Sequence, residues 1–309
     1  MSGNLPQKYR PLVPSCIYPA FRNGRLFEEY FFEFWQSIEN NKLKDKFYYI
    51  DIFWHNIKCG SPKVPVLKIA KEEQEKVVHD YCRIATSEGK IPFTICQWGD
   101  NIEIKKPQNL IVFTMGSFMD FPLPLIVEDK SNRLLKTERI SFKDKKYLAS
   151  FVGTTMTHSC RTKIVNFFQK NNKFMFKVKN RWSVNISTTE SNNFIEITKD
   201  SKFGLAPRGY GPTSFRFFEI MQLGVIPVYI HTDNSDRCLP FLDEPDTFDY
   251  SSFSIEIHIK DINKLETILE SIDEKQYNEM LNNLNKVMHH FSMQGTSNYI
   301  LRNLERNRQ

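Results

Sequence analysis

Apolar runs of strand length alternate with stretches of helical periodicity along nearly the whole chain. This alternation restricts the possible fold more than any other feature of the sequence. Residues 26–40 carry Phe27, Tyr30, Phe31, Phe34, Trp35 and Ile38 at helical spacing. The run 47–54 then reads as a buried strand, 72–87 as a helix closed by Gly89, and 91–96 and 110–114 as further strands. After a polar, charged stretch at 131–146 the rhythm restarts. Strands are expected at 147–152, 174–178, 201–206, 225–230 and 252–259, and helices at 159–170, 213–223, 261–271 and 274–291, with a last helix at 297–306. Strand–helix–strand repetition builds parallel sheets. A chain of 309 residues exceeds one ordinary core, so two α/β domains are expected. We set them at 1–142 and 143–292, with 293–309 as a tail helix that has the option of packing back on the N-terminal domain.

Several function classes recede on composition. Lys and Arg outnumber Asp and Glu by 42 to 36, a formal charge of +6. That suits an anionic ligand but is thin for a nucleic-acid binder, which carries a dense basic stripe. The most apolar stretch, 110–127, is broken by Gly116, Asp120, Pro122 and Pro124, so it reads as strands and loops and not as a membrane span. The first residues, Met1 to Pro14, contain no apolar leader core. Six cysteines are scattered without a CxxC pair or zinc-finger spacing, which suggests free thiols in a reducing compartment.

The informative segment is 201–230, SKFGLAPRGYGPTSFRFFEIMQLGVIPVYI. A strand runs into a loop with Gly209 and Gly211, and a helix starts near Pro212 to Ser214. The N–H groups of its first turn and the positive end of its dipole form an anion site. Arg216 follows in the first turn with a guanidinium fork suited to a diphosphate. Glu219 lies three residues on, on the same face, where it could accept from ribose hydroxyls or pair with Arg216. The residues leave both alternatives open. Neither GxxxxGK[ST] nor an intact GxGxxG after a strand is present, which disfavours P-loop and classical dinucleotide sites.

Ser201, Phe203, Leu205, Pro207 and Gly209, then Ser214, Arg216 and Glu219, then Gly224, Ile226, Pro227 and Val228, together resemble the signature of the exostosin family, glycosyltransferase family 47. Phe151-Val152-Gly153 with Arg161 upstream, and Leu239-Pro240-Phe241-Leu242, Phe253-Ser254-Ile255 and Asp261-Ile262 downstream, follow in order. The resemblance covers roughly residues 147 to 290. One departure is that Gly204 and Ala206 stand where the family often has Cys. The resemblance implies a GT-B fold, two Rossmann-like domains with a donor/acceptor cleft between them. It implies an inverting transfer from a nucleotide sugar, usually a UDP-sugar, to a glycan or oligosaccharide acceptor hydroxyl. Gly153, Arg161, Arg208, Gly209, Tyr210, Thr213, Ser214, Arg216 and Glu219 would form the donor site. Arg161 and Arg216 would neutralise the leaving diphosphate, Ser214 would bind its oxygens, and Glu219 would hold the ribose.

No D-x-D pair occurs, so a metal-free mechanism with no further cofactor is expected. An inverting transfer also needs a base for the acceptor proton. Asp100, just past the 91–96 strand in Gln97-Trp98-Gly99-Asp100-Asn101, is the candidate, although Gly-Asp-Asn is also turn chemistry. Asp51 and then His55 come next, and Trp98 could stack on a sugar. The competing readings are a non-catalytic nucleotide-sugar or glycan-binding protein on a GT-B scaffold and, supported only by net charge, a nucleic-acid binder. Without an anchor the chain resembles the short soluble members of bacteria and large viruses, which implies the cytoplasm, or the host cytoplasm if virus-encoded.

Overall fold

The computed structural model describes residues 7–9, 24–39, 42–59, 69–98, 104–116, 119–181, 183, 186–233, 237–244 and 247–306. The chain divides into two α/β units. One comprises Met1–Ile17, Gly24–Glu128 and Ser292–Gln309; the other comprises Asp129–Phe291 with Tyr18–Asn23.

The first unit carries a parallel sheet in the order β1 (Phe47–Tyr49), β2 (Ile91–Cys96), β3 (Ile111–Met115), β4 (Phe121–Leu123). Helix α1 (Phe27–Ser37) buries Phe27, Phe31 and Trp35, the face its spacing sets out. Phe31 and Trp35 meet Tyr49 and Phe93 edge-on, so the helix is held to the sheet by an aromatic cluster. Helix α2 (Lys42–Lys46) leads into β1, and α4 (Lys71–Ser87) packs on β2 through Val78, Cys82 and Ala85.

The run expected as a strand over 47–54 is extended only as far as Tyr49. Ile50 N–H still reaches the Phe93 carbonyl at 2.8 Å, but Ile52 N–H turns back to Ile50 O and Phe53 N–H goes to Tyr9 O. Trp54 then opens a short helix, α3 (Trp54–Cys59), with its indole N–H on Thr94 Oγ1 at 3.1 Å. Ile52, Phe53 and Trp54 are buried, so the apolarity of this run reports burial and not extension. Strand β4 is also new. Asp120 at its start accepts from Val112 N–H at 2.8 Å, which ties the short connection to β3.

The second unit begins at Asp129, earlier than the boundary expected at 143. The polar stretch is not a linker. Leu134 is buried, Arg133 bonds to Ser191 Oγ and Asn192, and Arg139 to Asn285 Oδ1. The sheet runs β6 (Phe174–Lys179), β5 (Tyr147–Thr154), β7 (Ser201–Pro207), β8 (Ile226–His231), β9 (Ile255–His258), all parallel. Between the strands lie α5 (Ser159–Phe168), α6 (Thr188–Lys199) and α7 (Phe215–Gln222); after β9 come α8 (Leu265–Glu270) and α9 (Glu274–Val287). Helix α6 had no counterpart among the elements expected from sequence, although Ser187 and Glu190 close a capping box at its start. The terminal helix α10 (Met293–Arg306) belongs to the first unit and packs on α1 and α2.

Candidate active site

Numbered within its own unit, the second sheet has the order 2-1-3-4-5. The chain reverses direction across the sheet between β5 and β7, and ligands of doubly wound sheets bind beyond the carboxyl ends of the two strands flanking such a reversal. Here the two strands part company early. Their pairing runs from Tyr147↔Ser201 to Ser150↔Gly204 and stops, while β5 stays paired with β6 out to Thr154↔Lys179. The carbonyls of Val152 and Thr154, two residues apart and so on the same edge of the strand, lose their ladder partners on the β7 side.

Two arginines that the resemblance singles out take those carbonyls. Arg216 Nε donates to Val152 O at 2.7 Å. Arg161 Nη1 donates to Thr154 O at 3.0 Å, while its Nε and Nη2 reach Arg208 O at 2.7 Å and Pro207 O at 3.1 Å. Arg161, only 6% exposed, therefore ties the end of β5 to the end of β7, with the Phe151 ring against its guanidinium. Arg216 lies 3.8 Å from the Phe194 ring centroid and pairs with Glu219. Both side chains were expected to face a diphosphate; the bonds found here tie them to carbonyls at the ends of β5 and β7. Burial pushes the Glu219 carboxyl above its ordinary value and Arg216 opposes that shift. The salt-bridge alternative for Glu219 is thus realised.

The loop between β7 and α7 is closed on itself and anchored from below. Gly209 N–H reaches Thr213 O at 3.4 Å, Arg208 Nη2 donates to Tyr210 O and its Nη1 to Thr232 Oγ1, and Tyr229 O–H donates to Pro212 O at 3.1 Å. Gly209 lies against Arg161, where an added Cβ would come 3.4 Å from Nη2. Tyr210 is exposed at the tip. Gly153 sits on β5 beside the same gap, with Phe151 as its neighbour.

Ser214 occupies the N-cap position of α7 with extended φ and ψ, yet its hydroxyl makes no capping bond. Thr213 and Ser214 are 3% and 8% exposed, and neither hydroxyl has a hydrogen-bond partner among the described residues. The ordinary reason for Ser at this place is a bond to its own helix. Without it, the Ser214 hydroxyl stays uncommitted at the positive end of the helix dipole, beside a first turn in which Phe217 N–H closes back on Ser214 O at 3.3 Å. At the other end of α7, Gly224 takes φ +66 and its N–H returns to Met221 O, so the G-x-I-P-V glycine is the left-handed residue that stops the helix and starts β8.

Of the candidate bases, Asp100 falls outside the described residues. Asp51 follows β1 and is half-buried. His55, in α3, has Nδ1 3.2 Å from Gln97 O and the Trp98 ring at its edge. Sequence reasoning missed Glu28. This fully buried carboxylate on α1 accepts from Gln97 N–H at 2.6 Å and His55 N–H at 3.0 Å, and so pins the segments that follow β1 and β2. Gln97 completes the tie, donating to Ile126 O and accepting from Phe27 N–H. Burial pushes Glu28 up to about 8, against the opposing pull of the Gln97 and His55 N–H groups and the imidazole. Among the described residues Cys82, Cys96, Cys160 and Cys238 are buried thiols outside any disulfide. Among the described residues no helix is long and apolar enough to cross a membrane, and no cluster of three or more His, Cys, Asp or Glu is arranged to hold a metal.

Fold and site together are those of a doubly wound α/β protein with shielded hydroxyls and a helix N-terminus at the reversal of its second sheet. The Exostosin GT47 domain matches residues 109–272, and the chain belongs to that family, the exostosin-like glycosyltransferases. Three relatives from Arabidopsis thaliana, each named a probable glycosyltransferase, are 36% identical over 101 residues, 30% over 98 and 31% over 101. These stretches are 33%, 32% and 33% of this chain but only 18%, 20% and 20% of the relatives, so the match spans about a fifth of their length. Among solved structures, the crystal structure of TarM is similar over 70% of this chain and 50% of its own, with 9% identity and a TM-score of 0.38. That of an alpha1,3-fucosyltransferase is similar over 74% and 75%, with 13% identity and a TM-score of 0.36. At those scores the fold rests on the strand order described above.

Proposed function

We propose that this protein transfers a sugar from a nucleotide sugar, with UDP as the carrier, to a hydroxyl of a glycan acceptor, inverting the anomeric carbon and using no metal. The acceptor oxygen forms its bond to the anomeric carbon as the bond to the diphosphate breaks. The diphosphate leaves with the electron pair, and the acceptor proton passes to a base. The donor side is assigned to the second unit, the acceptor side and the base to the first.

One observation carries the reading. In a chain of this family, buried hydroxyls and a helix N-terminus meet at the sheet reversal, where a phosphate would sit. Developing negative charge on the leaving diphosphate is stabilised there by oriented N–H and O–H dipoles, with the positive charge of Arg161 and Arg216 in the first turns of α5 and α7. Glu219 reaches a ribose only by giving up part of its pairing with Arg216. Asp100 is proposed as the base from its place after β2, independently of any side-chain geometry.

The test is a turnover screen over nucleotide sugars, reading release of the nucleotide diphosphate with and without glycan acceptors. Acceptor-stimulated release from at least one donor is expected. Asp100→Asn should lower it about 10²–10⁴-fold with nucleotide affinity nearly unchanged. Tight diphosphate binding without turnover on any donor would favour the non-catalytic binding protein instead.

A further inference from the structure

The arginines that the resemblance offers as phosphate ligands are directed at carbonyls. Arg161 uses each of its three nitrogens on a carbonyl, and Arg216 uses Nε on Val152 O. A guanidinium edge committed in this way does not also fork a phosphate. What the two loops present instead is hydroxyl groups. Besides Thr213 and Ser214 on the β7–α7 loop, Thr157 on the β5–α5 loop has its Oγ1 shielded from solvent and without a partner among the described residues. Five hydroxyls of the second unit are in this condition, and three of them fall on these two loops; the others, Ser150 and Tyr277, lie within β5 and α9.

Arg161 connects the two groups. Its Nη1 holds Thr154 O, three residues before Thr157, and its Nη2 and Nε hold Pro207 O and Arg208 O, next to Gly209, whose N–H is bonded to Thr213 O. A shielded hydroxyl without a partner costs stability in the free protein. Three of them, on two loops that Arg161 ties together and beside a helix N-terminus, are suited to an anion with several acceptor oxygens and no protons to give.

We propose that Thr157 is a phosphate-binding residue: its hydroxyl, with those of Thr213 and Ser214, holds a nucleotide diphosphate across the gap between β5 and β7, while Arg161 and Arg216 are positioning residues that set the two loops. This rests on the donor-site reading above and adds to it a residue that the resemblance does not single out and a division of labour among those it does.

Calorimetric titration of the full chain with UDP, uridine and inorganic pyrophosphate tests both parts. Thr157→Val keeps the shape and removes the hydroxyl. It should weaken UDP and pyrophosphate about tenfold, the scale of one hydrogen bond to a charged group, and leave uridine unaffected and the melting temperature no lower. Thr157→Ser, which keeps the hydroxyl, should bind as the wild type does. Arg161→Lys keeps the charge but cannot span three carbonyls, so it should lose both melting temperature and affinity. If Arg161→Lys holds its melting temperature and loses only UDP and pyrophosphate, Arg161 is a direct ligand and the division of labour is wrong. If Thr157→Val titrates like the wild type while Ser214→Ala is weakened, Thr157 has no role and the donor-site reading stands. If neither variant is weakened, or the wild type binds neither UDP nor pyrophosphate, the inference and the donor-site reading fail together.

Discussion

At the scale of single residues, two buried carboxylates dominate, and each is held by a different device. Glu219 is paired with Arg216, and both are largely buried. Removing one member of such a pair leaves an uncompensated charge, which costs more than the pair itself contributes. Arg216→Ala should therefore lower the unfolding free energy by about 3–5 kcal/mol, and Arg216→Met with Glu219→Gln by clearly less; denaturant titration measures both. Equal losses would mean that the ion pair is not the element being broken.

Glu28 is held by the backbone N–H groups of Gln97 and His55 and feels the His55 imidazole, yet burial pushes its carboxyl up to about 8 from the ordinary 4.5. The folded chain thus holds this proton to higher pH than the unfolded chain. Its contribution to stability is fully present below about 4.5 and is lost as pH rises through about 8, by at most about 5 kcal/mol. Glu219, shifted in the same direction, adds to the slope. Unfolding measured from pH 5 to 8 should show stability falling, and Glu28→Gln should flatten that fall. An unchanged slope in the variant would remove Glu28 as its source.

At the scale of elements, the contact that matters most for the site is α7 on β7. Gly204 lies where a Cβ would meet three atoms of Ile220 at 2.7–2.8 Å. Because Cγ1, Cγ2 and Cδ1 are all involved, the added methyl would force Ile220 to turn or α7 to shift. This explains why a glycine stands at this place: Ile220 fills the space from the helix side. Gly204→Ala should cost about 1–3 kcal/mol as overpacking and weaken UDP, since α7 carries Ser214 at its cap. Adding Ile220→Ala should restore much of both, which a double-mutant cycle reads as a strong coupling. Independent, additive losses would contradict the packing argument. The strand–helix rhythm was readable from sequence because period and length are local. The extent of β1 was not, since Ile52, Phe53 and Trp54 are equally apolar in a strand or in a turn into α3. Helix α6 went unread because its buried set, Ser191, Phe194, Ile195 and Thr198, is half polar.

At the scale of the molecule, the loop that holds Ser214 and the ends of α7 were legible because their signals are glycines, a cap residue and charges a few positions apart. The parting of β5 from β7 was not legible. It shows only when the pairing registers are compared, and the partners of Arg161 and Arg216 are carbonyls, which every residue has. Glu28 was hidden for a similar reason: an acid beside Glu29 in the first turn of α1 looks like an ordinary response to the helix dipole. A donor site built from hydroxyls, N–H groups and arginine charge has no need of a cation, so acceptor-dependent turnover should survive a chelator with little loss. Abolition by chelation with recovery on manganese would overturn that mechanism.

The central claim is that the nucleotide sits at the carboxyl ends of β5 and β7. Hydrogen exchange of the full chain, with and without saturating UDP, reads this directly. Protection is expected in peptides covering Val152–Arg161 and Pro207–Glu219, strongest in the first turn of α7. Binding accompanied by protection confined to the first unit, around β2 and β3, would contradict it.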